Sequence, residues 1–217
     1  MRIGIDLDNT IINYNNSFDK IAKKLNLIED SFQGNKEETK SKIIKQKDGQ
    51  KKWEMLQGQV YGKYINKSEI FAGFQSFLWK CKLYKAKVSI ISHKTVYGHY
   101  DKQKINLREA ANDFLNLNKV QYCGKYKFID EIYFFDTKEE KINFIKDLKA
   151  DIFIDDLIEI LKDKKFPSLT RPILFDPYHS NKSKVTFEKI SSWNEASNVV
   201  FSHLNSNQLN NILKTSN

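Results

Sequence analysis

The stretch Arg2-Ile3-Gly4-Ile5-Asp6-Leu7-Asp8-Asn9-Thr10 decides how the rest of the chain is read. Its apolar part, Arg2 to Leu7, is too short for a helix and reads as a buried strand. From Tyr14 the rhythm changes. Tyr14, Phe18, Ile21, Ala22 and Leu25 recur at helical spacing and give a helix one apolar face. Between Asp30 and Lys52 the chain is polar, lysine-rich and punctuated by glycine, the pattern of a mobile loop or a loosely packed helix. Trp53, Leu56, Val60, Tyr61 and Tyr64 mark a second amphipathic helix. No convincing strand interrupts the segment from Asn13 to Lys67.

Beyond it, strands and helices alternate. Phe71, Phe74, Phe77, Leu78 and Cys81 fit a helix, Lys87–Ser92 a strand, Ile105–Leu117 a helix and Glu131–Asp136 a strand. Lys138–Lys149 is helical, with Ile142, Ile145 and Leu148 on one face. Ala150–Asp156 is a strand, Leu157–Asp163 a short helix and Pro172–Asp176 a strand. Regular alternation of this kind builds a mostly parallel sheet covered by helices on both faces. The reading is therefore α/β: a Rossmann-like three-layer core with a small helical cap inserted after the first strand. The expected division is a core of residues 1–12 and 69–204, a cap of residues 13–68 and a frayed tail of residues 205–217.

At 217 residues the chain is long enough for one generous domain or a domain with a lid. Its 36 Lys and Arg against 27 Asp and Glu leave +9, which suits an anionic partner without choosing among a phosphate compound, nucleic acid and a membrane surface. Its apolar runs fall far short of the roughly 20 residues that span a bilayer. The N-terminus meets Asp6 too early for a signal peptide, so a cytoplasmic protein is expected. Cys81 and Cys123 stand alone, outside any C-x-x-C pair, and read as free thiols.

In an open parallel sheet, function collects at the carboxyl ends of the strands. Those ends carry Asp6 and Asp8, then Ser92, then Asp155 and Asp156, and Lys141 lies on the helix leading into the last pair. Several carboxylates at one place repel unless a cation intervenes. An oxygen-only ligand set favours a hard cation such as Mg²⁺. A lysine and a hydroxyl beside that cation suit the oxygens of a phosphate group. One carboxylate could then attack phosphorus and form an aspartyl-phosphate.

Four pieces, Ile5-Asp6-Leu7-Asp8-Asn9-Thr10, Ser89-Ile90-Ile91-Ser92, Lys141 and Ile152-Phe153-Ile154-Asp155-Asp156, together resemble the haloacid dehalogenase (HAD) superfamily. The helical segment after the first piece looks like that superfamily's C1-type cap. The resemblance implies Mg²⁺ dependence and hydrolysis of a small phosphorylated metabolite, a sugar phosphate or nucleotide. It implies Asp6 as nucleophile and metal ligand. Asp8 would be the acid and base, with its backbone carbonyl on the metal. Asn9, Ser92, His93 and Lys141 would bind phosphate. Asp155 and Asp156 would complete the metal site, with Asp156 favoured as the direct ligand. The presence of Asp8 separates the chain from superfamily members that cleave carbon–halogen bonds. The alternatives are phosphoryl transfer to another hydroxyl, as in a mutase, and processing of nucleic-acid ends on the basic surface.

His93 and Lys94 follow the strand end and project towards the same mouth. The lysine run Lys36–Lys52 reads as a solvated face able to attract an anion. Trp53, Tyr61 and Tyr64 read mostly as core, with one or two able to face the site. His99, His179 and His203 read as structural or exposed.

Overall fold

A computed structural model describes residues 1–202. In chain order its elements are β1 Arg2–Ile5, β2 Ile12–Asn13, α1 Asn15–Lys24, α2 Lys36–Ile44, α3 Gly49–Tyr61, β3 Glu69–Ile70, α4 Phe74–Leu83, β4 Lys87–His93, α5 Leu107–Leu117, β5 Tyr122–Cys123, β6 Tyr126–Lys127, β7 Glu131–Phe135, α6 Lys138–Asp147, β8 Ile152–Asp155, α7 Ile158–Leu161, β9 Arg171–Phe175, β10 Glu188–Ile190 and α8 Trp193–Phe201. His203, the expected end of the last helix at Leu204 and the tail 205–217 lie outside the described residues.

Six strands form the central sheet in the order β10-β9-β8-β1-β4-β7, and every neighbouring pair is parallel. Strand β1 lies between β4 and β8, so the loop after it emerges at the middle of the sheet's carboxyl edge. Two apolar layers cover the sheet. One joins Ile3, Ile5 and Ile90 to α4, α5 and α8 through Phe77, Phe114 and Trp193. The other joins Ile91, Phe153 and Leu174 to α6 and α7 through Ile142, Ile145 and Ile160. This is the three-layer α/β core expected from the alternating pattern.

The helices α1, α2 and α3 are inserted between β2 and β3, which pair antiparallel through Ile12–Ile70 and Asn13–Glu69. The chain thus leaves the sheet and returns to it at one place. Phe18, Trp53, Leu56 and Val60 from these helices are buried and continue the first apolar layer. The polar stretch after Asp30 holds a helix, α2, rather than a mobile loop. Asn35 accepts from the Glu38 amide and Glu38 accepts from the Asn35 amide, a reciprocal capping box that fixes where α2 begins. Helix α4 starts at Phe74, later than the apolar spacing from Phe71 suggests, because Gly73 adopts a left-handed backbone at its N-cap. Strand β10 and the β5–β6 hairpin went unforeseen. The strands are two or three residues long and carry no readable alternation.

Gly4 is a packing requirement of the second layer. A Cβ there would lie 2.7 Å from the Phe153 ring and 3.0 Å from the Ile91 side chain. Gly4→Ala should therefore cost about 1–3 kcal/mol through overpacking. Urea unfolding checks this as a lower midpoint at unchanged slope.

Candidate active site

The backbone after β1 turns back on itself. Ile11 and Ile12 donate to the Leu7 carbonyl, and Asn9, at φ 62°, donates to the Ile12 carbonyl. A left-handed asparagine is tolerated in such a turn. The indole of Trp193, the first residue of α8, donates to the Thr10 carbonyl at 3.1 Å and pins the turn from below. Asp6, Asp8 and Asn9 are thereby presented at the centre of the sheet's edge.

Asp6 is buried, and Lys141 reaches it from α6. Thr137 and Glu140 form a capping box at the start of α6, which sets the position of Lys141 one residue later. The Lys141 ammonium donates to Asp6 at 2.6 Å and to Asp155 at 2.7 Å, and its side chain is only 1% exposed. Burial works against its charge, but Asp155 and Asp6 outweigh burial and hold its pKa above the ordinary lysine value. Asp155 also accepts from the Leu157 amide at 2.8 Å, so both of its oxygens are occupied. Asp156 is half-buried and has only a 3.5 Å contact from the Thr10 hydroxyl. Its carboxylate is the freer of the two for a cation.

Asp6, Asp155 and Asp156 bring carboxylate oxygens within 4.8 Å of one another. Burial, with the negative charge of Asp155 and Asp8, pushes Asp6 up to about 7 despite Lys141. Burial also raises Asp156 well above the carboxylate range, and Asp155 and Asp6 add to the effect. This crowding is what a bound cation relieves, and the all-oxygen donor set matches a hard divalent ion.

Asp8 is held on both sides. The Tyr14 hydroxyl donates to it at 2.8 Å, and the Lys94 ammonium lies 2.8 Å from its other oxygen. Burial and the neighbouring Asp8 charge keep Tyr14 protonated by raising its pKa far above the usual tyrosine value. Lys94 is buried, stacked over the Tyr61 ring at 4.7 Å, and its backbone carbonyl accepts from Arg108. Ser92 is the penultimate residue of the neighbouring strand β4, with its hydroxyl buried and unpartnered among the described residues. His93 lines the same cavity as Asp6 and Asp8, with its Nε2 3.0 Å from the Asp136 carbonyl oxygen.

The inserted helices supply the remaining wall. Tyr61 and Gly58 from α3 line a cavity of about 340 Å³ with Asp6, Asp8 and Lys94. A second cavity of about 600 Å³ opens towards Tyr178 and shares Asn9, Lys36 and Asp156 with the first. Gly58 meets Gly98, on the loop after β4, so closely that a Cβ on Gly98 would lie 2.6 Å from the Gly58 Cα. Lys36 comes down from the first turn of α2, and its ammonium donates to the Asn9 side-chain oxygen at 3.1 Å.

The structure thus brings together Asp6, Asp8, Asn9, Lys141, Asp155 and Asp156, and sets Ser92 on the adjacent strand end. Tyr14, Lys36, Tyr61 and Lys94 complete the surroundings. Lys36 departs from the solvated face expected of its lysine run, because the fold carries the start of α2 over the strand ends. No local pattern separates it from Lys40 or Lys45. Tyr14 was visible only as an apolar helix position.

No protein-family model and no curated protein sequence matches the chain. Solved structures do. A predicted phosphatase from Clostridium acetobutylicum superposes with a TM-score of 0.58 at 16% identity, covering 93% of this chain and 98% of its own. The HAD-hydrolase YfnB of Bacillus subtilis, solved bound to magnesium and showing interdomain movement, gives 0.58 at 11% identity over 92% and 97%. A beta-phosphoglucomutase from Pyrococcus sp. gives 0.55 at 14% identity over 99% of both chains. The chain has the fold of the HAD-superfamily hydrolases, a Rossmann-like core with a helical insertion.

The raised Asp6 pKa has a thermodynamic consequence. In cation-free protein Asp6 holds its proton up to about pH 7 when folded but only to about 3.8 when unfolded. Stability should therefore fall as pH rises through that window, by on the order of 4 kcal/mol at most. A divalent cation should restore it at neutral pH. Thermal unfolding across pH 4 to 7, with and without the cation, checks both. Identical curves would remove the carboxylate cluster as a cation site.

Proposed function

We propose that the protein is a Mg²⁺-dependent phosphatase that hydrolyses a small phosphorylated metabolite through an aspartyl-phosphate. The observation that carries this reading is the pair Asp6 and Asp8 on one turn, beside the cluster of Asp6, Asp155 and Asp156 and a Ser92 hydroxyl that is buried and unpartnered among the described residues. Residues 1–12 and 69–204 are taken as the catalytic core and 13–68 as the cap. Among the described residues no helix is long and apolar enough to cross a membrane. A cytoplasmic setting agrees with a small phosphorylated substrate.

Asp6 is the nucleophile. Lys141 holds one of its oxygens and leaves the other for phosphorus. As the Asp6–phosphorus bond forms, the bond from phosphorus to the leaving oxygen breaks, and Asp8 gives that oxygen a proton. Asp8 then takes a proton from water, which attacks phosphorus and releases phosphate from Asp6. Tyr14 and Lys94 hold the Asp8 carboxyl group in place for both proton transfers. Asn9, Ser92, His93 and Lys141 meet the phosphoryl oxygens. Lys141 fixes the nucleophile and neutralises its charge. Asp6, Asp156 and the Asp8 backbone carbonyl would hold Mg²⁺, with Asp155 behind them. Bound there, Mg²⁺ supplies positive charge to the phosphoryl group.

The fold is also that of a solved beta-phosphoglucomutase, so transfer of the phosphoryl group to a second hydroxyl is the alternative outcome of the same chemistry. End processing of nucleic acid would instead show affinity falling steeply with salt.

A panel of sugar phosphates and nucleotides incubated with Mg²⁺ should include a substrate that releases inorganic phosphate. Asp6→Asn should abolish turnover in a folded protein. Asp8→Asn should lower kcat roughly 10²–10⁴-fold. Full turnover by Asp6→Asn would exclude the covalent route. Folded wild-type protein that releases no phosphate from any ester would exclude hydrolysis of those esters.

A further inference from the structure

Four carboxylates and three ammonium groups converge beneath the helical insertion, and they are not matched one to one. Lys141 is committed to Asp6 and Asp155. Lys94 is committed to Asp8. Lys36 differs from both. Its Nζ meets the Asn9 side-chain oxygen at 3.1 Å, the Tyr61 hydroxyl at 3.4 Å and the face of the Phe18 ring at 5.2 Å. These partners are all neutral, and among the described residues Lys36 forms no ion pair with a carboxylate. It lies in the wall common to the two cavities, alongside Asn9 and Asp156.

We propose that Lys36 is a second phosphoryl-binding cation of this site, delivered to it by the inserted helices. The inference rests on the phosphatase reading and adds a residue to it. Two carboxylates already share the Lys141 ammonium. A phosphate dianion next to Asp6 and Asp8 needs another donor cation. Removing Lys36 would take one positive charge from beside that dianion. The hydrogen bond to Asn9 aims the ammonium at the turn that carries Asp8. Burial works against the charge on Lys36, but Tyr61, Asp156 and Asp8 outweigh it and raise its pKa, so the side chain stays cationic. Because Lys36 sits on α2 while Ser92 and Lys141 sit on the sheet and α6, the phosphate site is complete only with the insertion seated on the core.

The competing explanation is a structural one, in which the lysine stem merely packs on Phe18. Lys36→Met keeps that stem, Lys36→Gln keeps a donor for Asn9, and Lys36→Arg keeps the charge. The probe is inorganic phosphate, titrated by calorimetry into the Mg²⁺-loaded protein. Lys36→Met and Lys36→Gln should bind phosphate at least about tenfold more weakly than wild type, equivalent to about 1.4 kcal/mol. Lys36→Arg should recover part of the loss. Lys47→Met, which removes an exposed lysine farther along the same run, should leave the affinity unchanged and so exclude a general charge effect. Folding is checked by the thermal midpoint of each variant. Wild-type affinity in both folded neutral variants would overturn the proposal. So would an equal loss in Lys47→Met. Phosphate binding that depends on Lys36 in a protein that cleaves no ester would sustain this site and sink the hydrolytic reading instead.

Discussion

Lys141 lies between Asp6 and Asp155, almost entirely removed from water, with an ammonium–oxygen distance of less than 3 Å to each. A buried charge costs several kcal/mol unless it is paired and hydrogen-bonded, and a buried carboxylate left alone costs as much. The three groups therefore tolerate one another only together. Asp6 directly follows β1, Asp155 ends β8 and Lys141 rides on α6. The parallel pairing that sets Ile5 against Ile154 and the capping box that starts α6 both serve to bring them into register. A slip of one residue in either strand would turn a carboxylate towards the wrong face and strand the lysine.

Around that fixed centre the surroundings are arranged by charge. The sheet supplies the carboxylates, while Lys94 and Lys36 arrive from a loop and from the inserted helices. Each lysine lies against an aromatic ring, Tyr61 or Phe18, which excludes water on one side and still favours a cation. Tyr14 and Tyr61 meet edge to face at 4.8 Å, so the groups that hold Asp8 and those that hold Lys36 share one packed aromatic unit.

The strand ends were legible because a parallel sheet forces chemistry to its carboxyl edge. Asp6, Asp8, Ser92, Asp155 and Asp156 each follow an apolar run that reads as a strand. Lys141 could be placed by its distance from Asp155, but its double engagement could not, since that depends on two strands separated by more than a hundred residues. Helix α2 gave little signal because only Thr39 and Ile43 are buried in it, and its stability rests on caps and on its neighbours. Lys36 was hidden for the same reason. A lysine amid lysines shows its role only when the fold decides which of them points inward. Lys94 was noticed as a neighbour of Ser92. Its ion pair with Asp8 depends on β4 lying next to β1.

The two-residue ribbon β2–β3 carries both crossings between the sheet and the inserted helices. Away from that ribbon the inserted helices meet the core again where Gly58 and Gly98 touch backbone to backbone. The positive charge of the site is therefore divided between two parts of the chain. Lys94 and Lys141 come from the core, and Lys36 is brought by the insertion.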